Sequence, residues 1–141
     1  MGIETIIQVY IAFFIVVLLH ELGHFPKSIK FKFGLLPSGS AMNAKYRLGG
    51  LIVNAALAIG IYINQPTNTF IQLIGALAWI HLIIYLIVGS FNKEPKDKEV
   101  NLATYVWDDV PNEYWMLNIA IAISLIVTLQ QYYIPIFQAL W

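Results

Sequence analysis

Two histidines four residues apart bracket a glutamate in the run His20-Glu21-Leu22-Gly23-His24. On a helix, residues i and i+4 lie one turn apart and about 40° apart around the axis, so both imidazoles can reach a single ion. Neutral imidazole is a zinc ligand, and H-E-x-x-H on a helix joins two such ligands to a carboxylate that acts as general base. The chemistry this pattern supports is hydrolysis by a zinc-activated water. It is incomplete as it stands, because catalytic zinc generally takes three protein ligands and keeps one position open.

The surroundings of the pattern are apolar. From Thr5 to Leu19 there is no charged residue, and ionisable side chains then arrive together at His20, Glu21 and His24. Ionisable groups at membrane depth are costly and generally functional. The whole chain of 141 residues is 59% hydrophobic and 11% charged, with mean hydropathy +0.70. A soluble domain carries about 25% charged residues, so this is the composition of one membrane-embedded domain over residues 1–141. Zero net charge gives no basic footprint for nucleic acid. The absence of cysteine removes disulfides, thiolate zinc sites and thiol catalysis.

The elements that must hold the site follow from the charge gaps. Four apolar segments cover about residues 3–22, 46–63, 70–91 and 114–140, each near or above the ~17–25 residues that span a bilayer as a helix. The expected fold is all-α and polytopic, with four transmembrane helices. Pro135 should kink or end the last one. Glu4 and the lack of a basic N-terminal region make the first segment a retained span rather than a cleaved signal. All eight Lys and Arg residues fall between segments one and two (Lys27, Lys30, Lys32, Lys45, Arg47) or three and four (Lys93, Lys96, Lys98). The positive-inside rule then puts both termini outside the cell membrane and both charged loops in the cytoplasm.

The first charged loop has its own pattern. Pro26 should end the first helix at Phe25. Ile29-Lys30-Phe31-Lys32-Phe33 alternates apolar and basic residues, the strand period. Leu36-Pro37-Ser38-Gly39 reads as a turn, with Ser40 to Lys45 returning as a second strand. A short β-hairpin at the membrane surface is expected. Its lysines can snorkel to lipid headgroups, and its edge can pair with an extended peptide.

No Asp or Glu occurs between Leu22 and Lys93. A third ligand must therefore be His81 or one of the later acids Glu94, Asp97, Glu99, Asp108, Asp109 and Glu113. The first three acids interleave with lysines as a solvated run. Asp108 and Asp109 precede Pro111 and the last segment, where acids also serve as helix N-caps. His81 lies deep in segment three.

At three places the chain resembles the site-2 proteases, intramembrane zinc metalloproteases. His20-Glu21-Leu22-Gly23-His24 matches the family's H-E-L-G-H form. Gly50-Leu51-Ile52-Val53-Asn54 resembles its G-P-x-x-N element, with Leu51 where proline is usual. Phe91-Asn92-Lys93-Glu94-Pro95 is similar to the F-N-x-x-P that opens its second metal motif. That motif normally closes with L-D-G, but this chain has no Asp-Gly and carries Val100 at the usual offset. Asp108 and Asp109 stand where the family's chain re-enters the membrane, so the resemblance favours them over Asp97 as the third ligand.

The likeness covers about residues 3–114 and implies a minimal catalytic core. Zinc would be held by His20, His24 and Asp108 or Asp109, with Glu21 as general base and Asn54 holding the substrate backbone. The implied substrate is a membrane protein with a transmembrane segment. Two other classes fit the same residues: a metal-holding scaffold without hydrolysis, and an ion transporter using the intramembrane His and Glu as a relay. A transporter generally shows repeated halves, which this sequence lacks.

Overall fold

Long apolar runs without charge can satisfy their backbone groups in lipid only by closing them into helices. The computed structural model describes residues 1–25, 29–32, 36–39, 49–91 and 115–141. Four helices account for most of them: α1 (Ile3–Gly23), α2 (Gly49–Asn64), α3 (Thr69–Phe91) and α4 (Trp115–Gln138). Each overlaps an expected segment. Three are long and apolar enough to cross a membrane: α1, α3 over Thr69–Ile87 and α4 over Met116–Gln138. The fourth expected span falls short of that standard. At 16 residues, α2 extends about 24 Å, against a hydrocarbon core of about 30 Å.

Helix α1 ends close to where Pro26 predicts. Its last turn tightens, with His24 N–H bonding Glu21 C=O at 3.2 Å and Phe25 N–H bonding Leu22 C=O at 3.0 Å. Phe25 then takes a left-handed φ of 48°, a conformation that costs a residue with a Cβ about 1–2 kcal/mol.

Two four-residue strands follow, β1 (Ile29–Lys32) and β2 (Leu36–Gly39), paired antiparallel with Phe31 opposite Pro37. The details differ from expectation. The residues read as a turn form the partner strand, and Ser40 to Lys45, expected to return as a strand, lie outside the described residues. The pair also packs along α1. Phe31 stacks on Phe14 with centroids 6.2 Å apart and planes 3° from parallel. Phe14 precedes the end of α1 by nine residues, about 13 Å of helix.

Helices α2 and α3 form a hairpin across a short turn. Asn68 caps α3 by accepting from Phe70 N–H at 2.9 Å and Ile71 N–H at 3.2 Å. Gln72 Nε2 donates to Pro66 C=O at 2.7 Å and ties the turn down. Helix α3 is the centre of the bundle, touching α1, α2 and α4. Its spanning window is 44% buried, against 22% for α1 and 17% for α4.

Small residues let the backbones approach: Ala58 on α2, Ala76 on α3 and Ala122 on α4 are fully buried. Trp79 Nε1 donates to Leu125 C=O at 2.9 Å and its ring stacks on Tyr133, whose hydroxyl donates to Ala58 C=O. Proline does not end α4, which runs through Pro135 to Gln138.

Candidate metal centre

The H-E-x-x-H run occupies the last turn of α1, so local helix geometry alone brings its histidines together. His20 Nε2 and His24 Nε2 are 3.3 Å apart, with the rings nearly perpendicular at 83°. Two nitrogens each about 2.0–2.1 Å from a tetrahedral zinc stand about 3.3–3.4 Å apart. The same separation is long for a hydrogen bond from an N–H donor, which usually falls below ~3.2 Å. The donor pair fits a tetrahedral ion. His20 and His24 are 0% and 1% exposed, and Glu21 is 9% exposed.

Helix α2 closes the site from the other side, and glycine makes this possible. A Cβ on Gly23 would sit 2.5 Å from Gly49 O, and one on Gly49 would overlap the Gly23 carbonyl. The end of α1 and the start of α2 are in backbone contact there. One residue further, a Cβ on Gly50 would lie 2.6 Å from His20 Nε2 and 2.6 Å from His24 Nε2. Gly50 therefore leaves open a cradle directly in front of both nitrogens.

Helices α2 and α3 bring Asn54 and His81 beside this pair. Asn54 is fully buried and His81 9% exposed. Asn54 Nδ2 donates to His81 Nδ1 at 2.8 Å. The His81 ring is 4.9 Å from that of His20, and Tyr85, one turn further along α3, is 5.1 Å from His20.

Of the residues singled out in the sequence, the fold gathers His20, His24, Asn54 and His81 into one buried cluster, and Glu21, also buried, follows His20 in the last turn of α1. Asp108 and Asp109 lie outside the described residues, as do Glu94, Asp97, Glu99 and Glu113. Among the described residues, no group of three or more His, Cys, Asp or Glu side chains is arranged to hold a metal. His81 lies beside the pair, with its Nδ1 2.8 Å from Asn54 Nδ2. Gly23, Gly50 and Tyr85 were missed as parts of the site. The Gly49-Gly50 pair opening α2 was a signal of close backbone approach, and Tyr85 sits four residues after His81 on the same helical face.

Compared with family models, with curated proteins and with solved structures, the chain matches none.

Proposed function

We propose that this chain is an intramembrane zinc metallopeptidase of the site-2 protease kind, cutting peptide bonds in or beside a transmembrane segment of a membrane protein. The observation that carries this reading is the convergence of His20 Nε2 and His24 Nε2 at 3.3 Å, faced by Gly50 and flanked by Glu21 at the end of a membrane-length helix. His20 and His24 would hold zinc together with a carboxylate from Asp108 or Asp109. When bound, zinc supplies Lewis acidity that polarises the scissile carbonyl and acidifies water.

The remaining chemistry belongs to the chain. Glu21 takes a proton from the attacking water as the water oxygen bonds to the carbonyl carbon. The same proton passes from Glu21 to the amide nitrogen as the C–N bond breaks, leaving a carboxylic acid and an amine. Burial of Glu21 and of both imidazoles keeps bulk water from this exchange. The outer edge of the β1–β2 pair offers backbone groups to an extended, unwound substrate.

In the bilayer, α2 is taken as a fourth span, with both termini outside and both charged loops in the cytoplasm. The site then lies toward the cytoplasmic end of α1. The deciding experiment uses Glu21→Gln in detergent with a single-span substrate. Zinc content should stay at the wild-type level while cleavage is abolished. Normal cleavage by this variant would remove Glu21 as the base. A wild type that holds zinc and cleaves nothing would leave the scaffold reading in its place.

A further inference from the structure

Helix α4 is the least enclosed of the three membrane-length helices, with 17% of its spanning window buried. Its buried residues Asn118, Ala122, Leu129 and Tyr133 form one face, turned toward α3, the helix it packs against. About 150° round the axis lies an exposed face. Ala120, Ser124, Thr128, Gln131, Pro135 and Gln138 share it within an arc of about 80°.

This face is polar at membrane depth. Ser124 and Thr128 straddle the midpoint of α4, and Gln131 follows within a turn. Among the described residues, the exposed positions between the ends of α2 and α3 are apolar, as at Ile52, Ala56 and Ile59 on α2 and Ile84 on α3. Thr128 turns its hydroxyl back to the Ser124 carbonyl at 2.6 Å, which satisfies that proton inside the helix. The Gln131 carboxamide has no hydrogen-bond partner among the described residues. Its backbone lacks a donor as well. A helical carbonyl accepts from the N–H four residues on, and at that offset from Gln131 stands Pro135, which has no N–H. In membranes, a neighbouring helix is one source of the missing donor. The described residues place no helix on this side of α4.

We propose that this face of α4 binds the same face of a second copy of the chain. All copies share one orientation in the bilayer, so the pair closes about a two-fold axis along the membrane normal, with the α4 helices parallel. Each Gln131 then lies opposite its counterpart. A carboxamide carries both donors and an acceptor, so each Gln131 Nε2 donates to a carbonyl oxygen of the other Gln131. Small side chains at Ala120 and Ser124 let the backbones approach. A substrate helix is the poorer occupant. Helix α3 turns Trp79 toward α4 but His81 and Tyr85 toward His20, and the polar face points away from α3 altogether. The inference needs only that α4 lies in the membrane and is independent of the peptidase reading.

The chain has no cysteine, so single cysteines report contacts between copies directly. In full-length protein in phosphatidylcholine vesicles, oxidation should link Leu117→Cys, Ala120→Cys and Ser124→Cys into disulfide-bonded dimers. Ile123→Cys and Ile134→Cys on the flank of α4, and Ile84→Cys on α3, should stay monomeric. The dissociation constant, read by energy transfer between labelled chains, should rise about 3–30-fold in Gln131→Leu, the range for one polar contact between membrane helices. Gln131→Asn, which keeps the amide, should recover part of that affinity. Circular dichroism of both variants should match wild type, since the side chain lies outside the bundle. A wild type that stays monomeric at every protein-to-lipid ratio would overturn the proposal. So would cross-links spread evenly round α4, or association unchanged in Gln131→Leu.

Discussion

A single hydrogen atom on Gly50 is what keeps the space before His20 and His24 open, since a Cβ there would lie 2.6 Å from both Nε2 atoms. Alanine favours a helix over glycine by about 0.5–1 kcal/mol, so Gly50→Ala should leave α2 formed. It should nevertheless lose zinc at a chelator concentration the wild type withstands, read as metal stoichiometry beside an unchanged circular dichroism spectrum. Unaltered zinc retention would mean the ion is not held in this cradle. The third ligand is a residue-scale question as well: of Asp97→Ala, Asp108→Ala and Asp109→Ala, the variant at position 108 or 109 should empty the site and that at 97 should not. His20, Glu21 and His24 were legible because i, i+4 geometry is local to one helix. Gly50 and His81 were not, because their neighbours are set by which faces of α2 and α3 turn toward α1. His81 was weighed as a ligand, and the fold sets it beside His20 and Asn54.

At the scale of elements, the joint between α1 and α2 places the two halves of the site against each other. Gly23→Ala would put a Cβ 2.5 Å from Gly49 O and 2.8 Å from Val53 Cγ2. Backbone cannot yield as a flexible side chain does, so the helices must part, at a cost of about 1–3 kcal/mol for overpacking. A lowered midpoint of thermal unfolding in detergent, with weaker zinc binding, is the expected result. Far from the site, Asn68→Ala should remove about 1 kcal/mol of capping from α3 and leave zinc binding unchanged. The helices themselves were readable from charge gaps, because uncharged apolar runs leave little choice of conformation in lipid. Strand β2 was not. Leu36-Pro37-Ser38-Gly39 has the residue types of a turn, and its pairing with Ile29–Lys32 is a tertiary fact. Of the two outcomes expected at Pro135, the ending did not occur: losing one N–H donor did not stop α4, whose later residues Ile136 and Phe137 pack against the core.

The whole molecule turns apolar side chains outward along every helix, among them Ile7 and Ile11 on α1, Ile52, Ile59 and Ile63 on α2, Ile84 on α3, and Ile123 and Val127 on α4. Lipid is the solvent that suits such a surface. The lack of cysteine permits a clean topology test. Thr67→Cys and a cysteine at Trp141 should react with an impermeant maleimide from outside intact cells, and Lys45→Cys only after permeabilisation. Protection of Thr67→Cys would show that α2 does not cross. That helix carries a further consequence through its backbone contact with α1. It extends about 24 Å while α1 extends about 31 Å, so a bilayer matched to one is mismatched to the other, and tilting or local thinning must absorb the difference. Any tilt of α2 pivots Gly50 across the paired imidazoles. Acyl-chain length should therefore tune metal affinity, with zinc held most firmly at one bilayer thickness and released sooner in thicker or thinner vesicles.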